Sequence, residues 1–251
     1  MPVFLLPPSR LLSISDGDTP EVKMGLRMLG IDAPELHFPL GSDPVSQDPV
    51  LEALPKTAAW AKLPKDLQHY LLPRLEKAGT RQKAWGMKAK AAFEAMVAEG
   101  LAVKGTTRRR NLFLACGPEV FDRYGRILAY VGPCVPKAER GDAPPPDTFN
   151  LNMLQGGWAA PCIHKENVPK PKDMALAIAA VQNARKKKLG FWAEAGLVLH
   201  GYEFRSLCRL AAGEAGFTYS ITDARTLKAA KPTVLSPVEY IQVPEEYRVF
   251  G

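Results

Sequence analysis

The stretch LRMLGIDAPE, residues 26–35, places one arginine and two carboxylates in a short, mostly apolar piece of chain. A strand that served only a hydrophobic core would have no use for Arg27, Asp32 and Glu35, because burying unpaired charges costs several kcal/mol. A second acidic cluster, DGDT, lies just upstream and contains Asp16 and Asp18. Asp-Gly and Asp-Ala-Pro are also common in ordinary turns. Together with Arg27, however, the two clusters predict a functional site.

The residues around these clusters predict β structure. Residues 8–35 contain an apolar run, an Asp-Gly turn signal and an alternating strand over 21–31. Asp18 would end one strand and Asp32 would follow the next, so a hairpin or meander would bring both carboxylates to one end of a sheet. Neighbouring carboxylates repel, and a divalent cation with oxygen ligands removes that cost. A metal, a spare carboxylate and arginines suit phosphoryl chemistry, and Arg126 in DRYGR offers a second arginine.

The rest of the chain predicts helices, one hairpin and two additional segments. The helices are expected at 81–99 with Gly100 as the stop, in NLNMLQ at 150–155, and at about 171–189 with Gly190 as the stop. The hairpin is expected over 101–133. Residues 36–80 contain six prolines and short helical pieces, which favours a surface insertion. Residues 201–251 contain the segment YEFRSLCRLAAG and a tail with spaced prolines.

Composition limits the classes of partner. The chain has 251 residues and a net charge of +7, with basic runs in TTRRRN at 106–111 and ARKKKLG at 184–190. A basic surface favours polyanions, nucleic acid first, although such runs are also typical of solvated helix faces. No apolar run is long enough to cross a membrane. The start MPVFLLPPSRLLSIS lacks the features of a signal peptide, so we expect a cytoplasmic location, with secretion as the alternative.

Five motifs in order give the chain a family resemblance. DGDT, LRMLGIDAPE, FDRYGRILAYV, NLNMLQGGWA and ARKKKLGFWAE resemble the successive motifs of the staphylococcal-nuclease-like (thermonuclease) family over about residues 10–195. The resemblance implies an α+β fold, in which a five-stranded OB-fold β-barrel packs against three helices. By this resemblance, the domain would cover residues 8–200 with an insertion at about 36–80, and residues 201–251 would form a C-terminal extension.

The resemblance also implies a calcium site. Asp18 and Asp32 match the calcium-binding carboxylates, and Ala33 matches the position that gives a main-chain carbonyl to the metal. The family usually has threonine at this last position, but a backbone ligand does not require that side chain. Asp16 matches an acid that orients the waters on the metal.

The remaining matched residues would bind and cleave the substrate. Glu35 matches the general base that activates water, and Arg27 and Arg126 match the arginines that bind phosphate. Tyr124 is a candidate for stacking on a substrate base. The expected function is that of a calcium-dependent endonuclease that hydrolyses DNA and RNA to 3′-phosphate products.

Two alternatives remain open at this stage. The chain could be a non-catalytic OB-fold module that binds nucleic acid or a protein partner, as members of this fold in Tudor-containing proteins do. Such modules lose the carboxylate and arginine set that this chain keeps. The added segments 36–80 or 201–251 could instead cover the site and bind a protein partner.

Overall fold

The computed structural model describes residues 6, 8–218, 220–228, 234–235 and 240–251. The ten strands of this part of the chain are β1 (Arg10–Ile14), β2 (Pro20–Lys23), β3 (Leu26–Met28), β4 (Gly30–Asp32), β5 (Leu112–Ala115), β6 (Ile127–Pro133), β7 (Ala160–His164), β8 (Ile221–Asp223), β9 (Val234–Leu235) and β10 (Arg248–Phe250). The α-helices are α1 (Asp48–Ala53), α2 (Ala58–Ala61), α3 (Lys65–Leu71), α4 (Ala78–Leu101), α5 (Lys137–Arg140), α6 (Phe149–Gln155), α7 (Pro171–Lys186) and α8 (Gly201–Ala211). None of these helices combines the length and the hydropathy that a bilayer crossing requires.

The strands form three sheets. β1 and β2 form an antiparallel hairpin, β3, β6 and β5 form a second sheet in that order, and the third has the order β4-β7-β10-β8-β9. The α+β class is therefore confirmed. Within the described residues the sheets do not close into a barrel, so the predicted five-stranded OB-fold is not established in detail.

The stretch LRMLGIDAPE, residues 26–35, connects two of these sheets. β3 runs parallel to β6, whereas β4 runs antiparallel to β7. The chain changes partner at Gly30, whose φ of +74° is a conformation that favours glycine. The buried side chain of Asn150 on α6 ties this point of the chain to β6, because it donates to the Leu29 carbonyl at 2.8 Å and accepts from the Val131 amide at 2.8 Å. Asp32 therefore ends a strand that Asn150 fixes at its start and that β7 pairs along its length.

Two hydrophobic cores lie on either side of this strand. One contains Ile31 and is built mainly from α4, α6 and α7, which fulfils the prediction of helices in these regions. The observed α4 ends at Leu101, one residue beyond the predicted stop, and α7 ends at Lys186. The predicted hairpin is also present, as β5 and β6.

The other core corrects the prediction that residues 36–80 are a surface insertion. Helices from this segment bury leucines against α8, which belongs to the C-terminal extension. The fully buried members include Leu51, Leu67, Leu71, Phe204 and Leu207. The short helical pieces around the prolines are present, but their apolar sides pack inward. The insertion and the extension therefore share one core, although no observation tests the division at residue 200.

Candidate active site

Asp32 is a buried carboxylate at the end of β4, and two arginines neutralise it. Nη2 of Arg27 donates to Oδ1 at 2.9 Å. Nη2 of Arg205 donates to Oδ2 at 3.0 Å, and Nη1 of the same residue donates to Oδ1 at 3.3 Å. Burial alone would raise the pKa of Asp32, but the charges and hydrogen bonds of Arg205 and Arg27 outweigh burial and hold that pKa below its ordinary value. Asp32 is therefore ionised, and both of its oxygens accept hydrogen bonds from guanidinium groups.

Glu35 lies three residues later and shares Arg205 with Asp32. Its Oε1 accepts a hydrogen bond from Nη1 of Arg205. For its Oε2, the described part of the chain provides no hydrogen-bond donor. Burial raises the pKa of Glu35 above its ordinary value, although the charge of Arg205 opposes this shift. The Glu35 side chain is 20% exposed, so solvent reaches part of it.

A single side chain on α4 holds the backbone beside Glu35. Gln82 is fully buried, and its Oε1 accepts from the Glu35 amide at 2.8 Å. Its Nε2 donates to the Leu199 carbonyl at 2.6 Å, just before α8 begins. Gln82 therefore ties the turn that carries Glu35 to the segment that leads into the C-terminal helix.

The first residue of α8 lies directly against the carboxylates. A Cβ added at Gly201 would stand 2.5 Å from Oδ2 of Asp32 and 3.1 Å from the Ala33 carbonyl oxygen. Any larger residue would displace one of these groups, so glycine permits the close approach of helix and strand. The same helix carries Arg205 one turn later. The C-terminal extension thus forms one wall of the site.

The strands beside Asp18 and Asp32 belong to different sheets, so the expectation that both carboxylates meet at one end of a sheet is wrong. Asp16 and Asp18 lie in the exposed turn between β1 and β2, a hairpin whose strands pair, among the described strands, only with each other. The side chain of Asp18 accepts a hydrogen bond from the adjacent Thr19 at 3.1 Å. No hydrogen bond of the described residues connects Asp18 with Asp32.

Arg126 and Tyr124 form a basic and aromatic surface at the start of β6, next to the strand that carries Arg27. Arg126 pairs with Asp122 through two hydrogen-bonding contacts, Nε at 2.7 Å and Nη2 at 2.6 Å. The guanidinium carbons of Arg123 and Arg126 lie 4.9 Å and 5.4 Å from the centre of the exposed Tyr124 ring. Arg126 precedes the strand that pairs with the Arg27 strand, but its ion pair in the described chain is with Asp122 and not with the carboxylates of the site.

The predicted ligands do not fit a calcium ion in this arrangement. Calcium requires several oxygen ligands around one point. Both oxygens of Asp32 already accept from guanidinium groups, and Asp18 lies in the exposed hairpin. Across the described ranges, no three His, Cys, Asp or Glu side chains converge as metal ligands would. The calcium site therefore stays a prediction from the resemblance, without support from the donor set.

Arg205 is the site residue that the sequence interpretation missed. No motif contains it, and it lies beyond the motifs in the segment YEFRSLCRLAAG. One signal was present, since the charged Glu203 and Arg205 stand on either side of Phe204 in a helical segment with several apolar residues. Charges on the buried side of a helix require partners, and the partners of Arg205 are Asp32 and Glu35.

The family comparison covers the part of the chain that contains most of these residues. The family described as Staphylococcal nuclease homologue matches residues 25–194, which include Arg27, Asp32, Glu35 and Arg126. Asp18 and Arg205 lie outside the match. None of the curated proteins matches the chain significantly. Because the family match spans more than half of the sequence, the chain belongs to the staphylococcal nuclease homologue family.

Proposed function

We propose that this chain is a nuclease that hydrolyses phosphodiester bonds of nucleic acid at the Glu35 site. The observation that carries the proposal is the position of the Glu35 carboxylate. Arg205 holds one of its oxygens, and the other has no hydrogen-bond donor among the described residues. The half-buried Arg27 pairs with Asp32, three residues before Glu35. A carboxylate that is fixed through one oxygen can accept a proton from water through the other.

The arginines supply the charge that a phosphodiester requires. Asp32 holds Arg27 through a single nitrogen, so further N–H groups of the same guanidinium can bind a phosphate oxygen. Water would attack phosphorus while Glu35 accepts its proton, and Arg27 would stabilise the charge on the phosphoryl oxygens. By analogy with the family, the bond to the 5′-oxygen breaks and the product ends in a 3′-phosphate.

Other features support a nucleic acid as the substrate. Lys186, Lys187 and Lys188 are exposed at the end of α7, and the net charge of the chain is positive. Basic side chains bind the phosphate backbone and release counterions. Tyr124, exposed and flanked by Arg123 and Arg126, is a candidate platform for stacking of an unpaired base. Both DNA and RNA fit these features.

Calcium dependence is the finer expectation of the family, and we do not include it in the proposed reaction. Both oxygens of Asp32 accept hydrogen bonds from guanidinium groups, so the described residues do not offer calcium a ready set of ligands. Cleavage assays in calcium and in excess chelator test this point directly. Loss of cleavage in chelator would show that a metal enters the site in solution.

A binding role without cleavage is the second candidate function. It is favoured by the ion pair with Arg205, which occupies one of the two Glu35 oxygens and whose charge opposes the rise in the pKa of Glu35. In that case, the chain would bind labelled oligonucleotides with a strong dependence on salt but leave them intact. Cleavage of the same oligonucleotides would exclude this second function.

The replacement Glu35→Gln tests the proposed reaction. The amide keeps the size of the side chain but cannot accept a proton from water, so cleavage should fall by about 10²–10⁴-fold. The rate is measured with a fluorescent single-stranded oligonucleotide, and affinity is measured in parallel by anisotropy. Glu99→Gln, at an exposed position on α4, is the matched control and should cleave at the wild-type rate. Cleavage by Glu35→Gln at that same rate would refute the role of Glu35.

A further inference from the structure

We propose that Arg205 is the resident cation of this site and occupies the place that the family resemblance gives to a divalent metal. The guanidinium spans both carboxylates, since its Nη1 and Nη2 donate to the two oxygens of Asp32 and Nη1 also donates to Glu35. These are the contacts by which a shared cation would hold two acidic groups together. The inference concerns cation binding and does not depend on whether the chain cleaves nucleic acid.

Charge at the site is already balanced. Asp32 and Glu35 contribute two negative charges, and Arg27 and Arg205 contribute two positive charges. A divalent cation beside Asp32 would face the Arg205 guanidinium and would have to replace its hydrogen bonds. A divalent cation and a guanidinium group in contact with the same carboxylate repel each other strongly in a half-buried site. The native arrangement therefore disfavours calcium.

The helix that carries Arg205 is an integral part of the fold. Its neighbours Phe204 and Leu207 are fully buried in the core shared with residues 36–80. The adjacent Glu203 is also fully buried and accepts hydrogen bonds from the Tyr70 hydroxyl at 2.9 Å and from the His200 amide at 3.0 Å. Displacing Arg205 by moving α8 would expose these groups. Arg205 is thus a permanent cation of the site, because the helix that carries it cannot move away without exposing these groups.

Calcium binding by the full-length chain, without nucleic acid, tests the proposal. The thermal midpoint, Tm, is measured in calcium chloride and in chelator for the wild type, Arg205→Met and Arg209→Met. The first replacement would leave the site with a net negative charge, whereas Arg209 lies one helical turn later and forms no ion pair with Asp32 or Glu35 in the described chain. Isothermal titration calorimetry with calcium chloride gives the affinity independently.

We expect the wild type and Arg209→Met to show no change of Tm beyond about 1 °C between calcium and chelator. For Arg205→Met we expect a rise in Tm of about 2–4 °C or more at saturating calcium. The proposal is overturned if the wild type binds calcium tighter than about 1 mM and Asp32→Asn removes that binding. The proposal would also be overturned if the Arg205→Met variant folds but has the same Tm in calcium and in chelator.

Arg205→Lys keeps the proposal testable if the methionine variant does not fold. The ammonium group preserves the charge but cannot donate to both Asp32 oxygens in the geometry of a guanidinium. We therefore expect a lower Tm than for the wild type and the same insensitivity to calcium. Calcium binding by Arg205→Lys that depends on Asp32 would count against a resident cation.

Discussion

The two acidic clusters of the chain have opposite environments. Asp16 and Asp18 lie in the exposed turn of a hairpin that pairs, within the described chain, only with itself. Asp32 is buried, and its strand is held by β7, by α6 and by the core that contains Ile31. The two clusters share one local feature, because each places a carboxylate beside residues that favour a turn. Their difference shows that long-range packing, and not the motif itself, decides which carboxylate becomes part of a site.

The largest effect should come from weakening the packing around the Asp32 cluster. Leu67 on α3 is fully buried in the core shared with α8, so Leu67→Ala should lower the free energy of unfolding by about 2–5 kcal/mol. Leu72→Ala, at a half-exposed position nearby, is the matched control and should cost much less. Urea unfolding followed by circular dichroism gives both values. Equal costs would mean that residues 36–80 do not support the site.

A smaller but direct contrast comes from the two carboxylates themselves. Asp32→Asn leaves Arg27 and Arg205 without their buried partner and should cost about 2–4 kcal/mol, less than a fully buried pair because both arginines are partly exposed. Asp18→Asn should change the free energy of unfolding by less than about 0.5 kcal/mol. The same urea titration checks both. A large cost for Asp18→Asn would show that the hairpin contacts the site in solution.

The smallest effect concerns the pH dependence of stability. Because the pKa of Glu35 is raised in the folded chain, its contribution is fully present below the unfolded value of 4.5 and is lost as pH rises through the folded value. The contribution of Asp32 to stability has the opposite pH dependence. Because its pKa is lowered in the folded chain, Asp32 stabilises the fold above the unfolded pKa of 3.8. Subtracting the Glu35→Gln profile from that of the wild type isolates Glu35, and the difference should decline from about pH 4.5 upward. A flat difference would contradict the raised pKa.

Local pattern was sufficient to predict part of the fold. The long helices α4 and α7 and the β5–β6 hairpin follow from periodic apolar residues and turn signals. The change of partner at Gly30 could not be predicted, because it depends on Asn150, which lies far away in sequence. The core between residues 36–80 and α8 was missed for the same reason. Its buried leucines lie in short helices separated by prolines, where periodicity is weak.

The candidate site was predictable to a similar extent. Arg27, Asp32 and Glu35 lie within ten residues, so one short motif revealed them and the structure brings all three to one place. Arg205 comes from a segment 170 residues beyond Glu35 and pairs with it only through tertiary packing. Motif matching therefore identified the negative charges but not the cation that balances two of them.

The buried amide of Gln82 has a consequence for local motion at the site. The Glu35 backbone N–H lies outside the helices and strands, in a turn where exchange with solvent deuterium is ordinarily fast. Its acceptor, however, is the Oε1 of a fully buried side chain that also holds Leu199. This one amide should therefore exchange as slowly as the core of α4. Its protection factor would measure, at a single atom, how tightly the C-terminal segment and the Glu35 turn are joined.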